Sequence, residues 1–406
     1  MTARHVLLWS AASVLLAVGV SAGAGVACSS TTLEPAAPTA PIDTSDAAPP
    51  ANDDASIDAA PPKTPNALAD GIDALFTDAA AKDVFSGTVI VVDGGHQVLA
   101  KGYGLADRTT KRANTPDTIL RIGSMSKQFA ATAVLALVAD GKLALTDPVS
   151  KFFPDYPAAN LVMDGVAVTI HHLLSHTSGL PDPASTTAFK QAIWRRPIDP
   201  SEQVGFVQAL PLVAKPGTTF AYLNFNFLVA ALIVEKTAGV PYESFLKTRF
   251  FGPLGMKDTG TVLPAGDASR AALGYADLGS GMLTSFSQDP SFKDPDVTVA
   301  FGAGQVYSTI GDLALWDRAL TGVAVLPAAQ RDLLFTPNLA SYGYGWVIEK
   351  KNNVSFEWHN GALSPVGFAS YMIRVPSKDR FVAYLANRDI AGIEPFETKV
   401  EALALK

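Results

Sequence analysis

Strand-like segments stand at both ends of the globular part of this chain, and the long stretch between them reads as helix. Near the start, SGTVIVV and QVLAKGYG are joined by the hairpin signal DGGH. Near the end, YGYGWVIEK, NNVSFEWHNG, GFASYMIRV and DRFVAYLANR follow one another with turns at KNN and PSKD. An amphipathic segment, NALADGIDALFTDAAAK, precedes the first group, and EPFETKVEALALK closes the second as a helix. Consecutive hairpins make an antiparallel sheet, and a sheet drawn from both chain ends needs the middle of the chain to return. The expected fold class is therefore α+β: an antiparallel sheet flanked by helices, built from about 67–124 and 296–406, with a mainly helical domain inserted at about 125–295. A cleft between the two parts is the natural place for a small-molecule site.

Upstream of residue 67 the composition changes. Residues 29–66 are rich in Pro, Ala, Ser and Asp and hold no aromatic residue. Such a segment cannot bury enough apolar surface to offset its conformational entropy, so it is expected to be a disordered tether. Residues 1–28 run from a basic start at Arg4 through VLLWSAASVLLAVGV to small residues and Cys28. That layout predicts an export signal. GVAC resembles a lipoprotein processing site, which would make Cys28 a lipid-carrying N-terminus in the cell envelope and the membrane a partner through that anchor. Cleavage after Ala24 and an uncleaved apolar anchor are the other readings. Cys28 is the only cysteine, so no intrachain disulfide or cysteine metal cage can form. Of the net charge of −7, residues 29–66 carry −5 and 67–406 only −3, against +1 in the signal. The nearly neutral domain has no basic stripe for nucleic acid.

RIGSMSKQFAATAVLALVADGKLAL carries the chemistry. Its apolar spacing starts a helix near Ser124, which puts Lys127 in the first turn, facing the positive end of the helix dipole, where a cation is poorly placed. Three residues apart on a helix, the amine can approach the Ser124 hydroxyl. Burial and the dipole would lower its pKa toward a useful base, and the serine becomes a candidate nucleophile. As a bare pattern, Ser-x-x-Lys is common; a capping serine and a snorkelling lysine would explain it equally well. It needs partners. FAYLNFNF offers Tyr222 and Asn224, two apart in an extended stretch before an apolar helix, a phenol to relay a proton and a carboxamide to hold an amide; alone, Asn224 as a helix cap and Tyr222 packed at the helix entry explain it equally well. SFEWHNGA offers His359, which period-two alternation places opposite Phe356 and Trp358, hence outward into the cleft. Gly361 would let a substrate approach the strand, and the Ala362 N–H could serve as an oxyanion donor.

These three segments in this order resemble the serine β-lactamase and penicillin-binding family, in its class C-like branch. RIGSMSKQFAA is similar to that branch's nucleophile motif and FAYLN to its Tyr-x-Asn motif. HNG stands where members carry Lys-Thr-Gly or a His-x-Gly variant. GKLALTDPVSKFFPD, TIHHLLSHTSGLPD and GAGQVYSTIGDLALW add to the likeness, which spans about residues 67–406. The resemblance implies Ser124 as nucleophile, with Lys127 and Tyr222 moving its proton. It implies Asn224 on the substrate amide, His359 and Gly361 along the cleft edge, and the backbone amides of Ser124 and Ala362 as oxyanion hole, with no metal or organic cofactor. The expected activity is hydrolysis of an amide, ester or β-lactam bond in a small-molecule or peptide substrate through an acyl-enzyme. The alternative is a penicillin-binding protein that acylates or recognises cell-wall peptides or β-lactams with little turnover. No Ser-Asp-Asn or Lys-Thr-Gly segment occurs; His359 in place of lysine would be a weaker, pH-dependent partner for a carboxylate.

Other motifs imply less. His172 and His176, four apart, could share a zinc ion, but the stretch reads better as a structural helix ending at Ser178-Gly179. FGAGQ lacks the Gly-Lys-Ser/Thr of a phosphate loop and reads as a tight turn. No Gly-x-Ser-x-Gly elbow is present.

Overall fold

The computed structural model describes residues 65–193, 198–277, 283–285, 297–364, 366–389 and 394–406. Cys28, the export signal and the tether as far as residue 64 lie outside the described residues.

Six strands form the main sheet: β1 (Gly87–Asp93), β2 (His96–Tyr103), β3 (Val347–Lys351), β4 (Val354–Leu363), β5 (Phe368–Val375) and β6 (Arg380–Ala386), in the order β3-β4-β5-β6-β1-β2. Every neighbouring pair is antiparallel, and β1 meets β6 with Gly87 opposite Ala386 and Val92 opposite Phe381. The two chain ends thus zip together at the middle of one sheet. The α+β architecture expected from the strand groups is the one observed.

Period-two alternation explains the layering. Val89 and Val91 of β1, Tyr371 and Ile373 of β5, and Val382 and Tyr384 of β6 face one side. There they meet Leu68, Ile72 and Phe76 of helix α1 (Ala67–Ala81) and Val400 of helix α5 (Glu394–Ala404). Asn66 caps α1, its side chain accepting from the Ala69 N–H at 2.9 Å. Ile90, Met372, Phe381, Ala383 and Leu385 face the other side, in a core with Phe129 of helix α2 (Lys127–Ala139), the apolar face of helix α3 (Asn224–Ala238) and Trp316 of helix α4 (Ile310–Thr321). Both faces of the sheet are covered.

α2 is buried from Lys127 to Leu137 and α3 from Phe225 to Val234. A helix apolar all round is a central helix, and the two pack against each other. Main-sheet strands after residue 296 begin only at Val347; the segment before it contributes the two-residue strand Tyr307–Ser308, paired with Leu120–Arg121, then α4 and the helix Ala328–Leu334. The inserted region also carries two-residue strands, Val162–Met163 with Val166–Ala167 and Ala276–Asp277 with Leu283–Thr284.

Candidate active site

Ser124 sits in a tight 3-10 turn, Gly123–Ser126, that leads directly into α2, so the α-helix proper begins at Lys127 rather than at the serine. The turn is clamped on every side. Ile122 donates its N–H to Val306 at 3.0 Å. The Ser126 hydroxyl donates to the Gly123 carbonyl at 2.7 Å and accepts from the Val306 N–H at 3.0 Å. On the sheet side the Ser370 hydroxyl donates to the Ile122 carbonyl at 2.8 Å. Ser126 is therefore the residue that serves the backbone, and Ser124, half-buried, is left to the cleft.

Two glycines make the approach to β4 possible. A methyl on Gly361 would lie 2.1 Å from the Ile122 carbonyl oxygen, and one on Gly123 (φ 53°) would lie 2.8 Å from the Ala362 nitrogen. β3 stops pairing with β4 at Trp358, opposite Val347, so beyond it this edge of β4 has no strand neighbour among the described residues and receives the Ser124 turn instead. Gly361 thus admits the backbone of the segment that carries Ser124, a close approach that the reading from sequence did not foresee. The same packing sets the Ala362 nitrogen beside the Gly123–Ser124 peptide.

Lys127 is fully buried at the base of this turn. Its Nζ lies 3.0 Å from Ser124 Oγ, 2.8 Å from Asn224 Oδ1 and 3.0 Å from the carbonyl oxygen of Ala303. It lies 4.6 Å from the centre of the Tyr222 ring. Burial holds its pKa well below that of an ordinary lysine. Asn224 is exposed and is the first residue of α3, so the extended chain ends at Leu223 and Asn224 is helical. Tyr222 has its hydroxyl oxygen enclosed. Burial raises its pKa, and the Ser124 hydroxyl beside it works weakly the other way. The Tyr222 hydroxyl makes no hydrogen bond of ordinary geometry, so Tyr222 is near Ser124 rather than bonded to it.

His359 departs from expectation. It lies on the same side of β4 as Gly361, but its side chain is wholly buried. Its Nδ1 is 2.6 Å from the Asn360 carbonyl and its Nε2 is 3.0 Å from the Tyr342 hydroxyl. Burial, with Lys127 nearby, lowers its pKa to about 3 against a weaker upward pull from the Asn360 carbonyl. His359 is therefore a neutral, internally bonded side chain and not a pH-dependent anion partner at the cleft edge.

Three participants escaped the sequence reading. Tyr342 bonds His359, as above. His176 stacks at 4.4 Å on the Tyr222 ring, its Nδ1 accepting from the Leu223 N–H at 3.1 Å. The Ala303 carbonyl, on Lys127, comes from the FGAGQ turn. A backbone carbonyl leaves no mark in sequence, and nothing in YGYGWVIEK sets Tyr342 apart from its neighbours. His176 did carry a signal. The helix that was to run to Ser178-Gly179 ends at Leu174, and His176 takes a left-handed φ of 56° where glycine is the usual choice. His172, paired with it as a zinc possibility, instead closes the capping box with Thr169, whose N–H lies 3.2 Å from its Nδ1.

A Ser-x-x-Lys pair with its lysine buried at the head of the central helix, facing a Tyr-x-Asn segment and the edge of an antiparallel sheet, defines a protein of the serine β-lactamase and penicillin-binding class. The family model described as Beta-lactamase matches residues 72–406, and the chain belongs to that family. It is similar to the putative penicillin-binding protein PbpX of Bacillus subtilis, 31% identical over 265 residues, 65% of this chain and 62% of the relative. It is 33% identical over 219 residues to the esterase EstB of Burkholderia gladioli, 52% of this chain and 55% of that one. The chain thus spans less than two thirds of either relative. Among solved structures, the D-amino acid amidase of Ochrobactrum anthropi in complex with L-phenylalanine amide superposes with a TM-score of 0.69 at 25% identity, over 83% of this chain and 98% of that one.

Proposed function

We propose that this chain is a serine hydrolase that works through an acyl-enzyme on Ser124. The observation that carries the reading is the set of three neighbours around Lys127 Nζ. Two of them, Asn224 Oδ1 and the Ala303 carbonyl, can only accept hydrogen bonds. A neutral amine has two hydrogens for these two acceptors, which leaves its lone pair for the third neighbour, Ser124 Oγ. The serine then donates to the amine and is poised to lose its proton.

The steps follow from that arrangement. Ser124 Oγ attacks the carbonyl carbon of the substrate as its proton passes to Lys127. The Tyr222 phenol, beside both, carries a proton to the departing amine or alcohol. The substrate oxygen gathers negative charge beside the backbone amides of Ser124 and Ala362. Water then attacks the acyl-enzyme, returns a proton through the same groups and frees Ser124.

Relatives named as a penicillin-binding protein, an esterase and a D-amino acid amidase bracket the bond cleaved: an amide, ester or β-lactam. His359, neutral and already bonded at both nitrogens, supplies no cation for a substrate carboxylate. That favours neutral esters and amides over carboxylate-bearing β-lactams. We also infer, from the layout of residues 1–28 alone, export with lipid attachment at Cys28 and the domain held off the membrane by residues 29–66. The test of the central reading is Ser124→Ala, which should abolish turnover of p-nitrophenyl acetate and of a D-amino-acid anilide in a folded protein; undiminished turnover would remove it.

A further inference from the structure

We propose that Tyr342 is a positioning residue for Tyr222, fixing that phenol beside Ser124 by tying the helical part of the chain to β4 through His359. The proposal rests on the acyl-enzyme reading, in which Tyr222 moves the proton.

Tyr342 is wholly buried, and its hydroxyl meets His359 Nε2 at 3.0 Å. The other imidazole nitrogen faces the Asn360 carbonyl, which can only accept, so the ring proton sits on Nδ1. Nε2 is then the acceptor and Tyr342 the donor, and the direction of this bond is set. His359 lies two residues before Gly361 on the strand that receives the Ser124 turn. The Tyr342 hydroxyl therefore holds the part of β4 that the oxyanion site depends on.

The ring of Tyr342 has a second task. It stands edge-on to Tyr222, with centroids 6.2 Å apart and planes at 83°, and lies 4.9 Å from His176, which packs on Tyr222 at 4.4 Å. The Tyr222 hydroxyl has no well-formed hydrogen bond. Packing, rather than hydrogen bonding, decides where that oxygen lies, and His176 and Tyr342 provide the packing.

The backbone gives independent support. Ala340 and Ser341, immediately before Tyr342, have φ of 58° and 62°, and His176 has φ of 56°. Non-glycine residues avoid this region, and strained backbone that persists is concentrated at functional sites. Both rings that clamp Tyr222 are presented from such backbone. The sequence has accepted strain at 176 and at 340–341 where glycine would have relieved it, and what the strain presents is the side chains of His176 and Tyr342.

The test is a double-mutant cycle on the purified full chain, read by the rate at which a fluorophosphonate labels Ser124 and by kcat and KM for p-nitrophenyl acetate. Tyr342→Phe keeps the ring and removes the donor. Residues acting through one another are non-additive, so it should slow labelling and lower kcat by ~10-fold with KM unchanged, and do nothing further in a Tyr222→Phe background. His359→Gln, which keeps an acceptor, should label faster than His359→Leu. Wild-type kcat in Tyr342→Phe, equal losses in both backgrounds, or equal rates for the two His359 variants would overturn the proposal. Ser124→Ala in the same assay separates the two layers. Labelling there would remove the acyl-enzyme reading itself, whereas a silent Ser124→Ala beside an undiminished Tyr342→Phe removes only the positioning role.

Discussion

The amine of the fully buried Lys127 lies 3.0 Å from the hydroxyl of the half-buried Ser124, and among the described residues no carboxylate forms an ion pair with it. An uncompensated ammonium there would be costly, and burial holds the Lys127 pKa well below that of an ordinary lysine, which favours the neutral amine, a base beside a hydroxyl. The expected consequence is that Lys127→Met lowers kcat by ~10²–10⁴-fold, the range for a positioned general base, while leaving the melting temperature unchanged or raised. Steady-state kinetics with a thermal melt of the same preparation checks both halves. A large fall in stability with kcat preserved would contradict the assignment.

Tyr222 should separate from Lys127 in its effect. Tyr222→Phe keeps the ring between His176 and Tyr342 and removes only an enclosed hydroxyl without a full hydrogen bond. The fold should be untouched and kcat should fall by ~10²-fold or more, with the greater loss on substrates whose leaving group must be protonated. Comparing an alkyl amide with a p-nitrophenyl ester reads this difference.

Gly361→Ala probes the approach of the Ser124 turn to β4. Its methyl would meet the Ile122 carbonyl oxygen at 2.1 Å, so the turn must shift away from the strand. Loss of one oxyanion donor costs ~10²–10³-fold in rate, and a displaced turn should cost at least that. The shift should also destabilise the protein by about 1–3 kcal/mol, in the range for overpacking. A denaturant melt and kcat for the variant test the two numbers separately.

Acid stability has a defined sign. The folded pKa of His359, about 3, lies below the 6.5 of an unperturbed histidine, and His176 is shifted the same way, mainly by burial. The unfolded chain therefore binds more protons as pH falls below 6.5, and folding stability is lost progressively from there toward pH 3. Each unit of depression corresponds to ~1.4 kcal/mol. Glu357 acts in the opposite sense: burial raises its pKa to about 6 from 4.5, so its contribution diminishes as pH rises across that interval. His359→Gln should flatten the acid limb of a stability profile between pH 6.5 and 3, measured by urea unfolding at each pH.

The architecture was legible because it was written in periodicity. Hairpin turns at 93–96, 351–353 and 376–379 and the strands they join could be read from β-branched and aromatic alternation. Lys127 was legible because it broke a rule, a cation at a helix start. His359 was misjudged for a physical reason. Alternation tells which residues share a face of β4, but this sheet is covered by helices on both faces, so sharing a face with Ser355 and Glu357 says nothing about exposure. Gly361 was singled out for a close approach, and the approach that the fold shows there is that of the Ile122 carbonyl. Tyr342 and Ala303 could not be found because their roles arise where distant segments converge, 120 and 176 residues from their partners Tyr222 and Lys127.

The most direct test of the account is intact mass of the purified protein after rapid quenching with a p-nitrophenyl ester, alongside Ser124→Ala. The account predicts a transient acyl adduct on the wild type, localised by peptide mapping to the segment containing Ser124, and none on the variant. An adduct of equal yield on Ser124→Ala, or turnover in that variant at the wild-type rate, would contradict it.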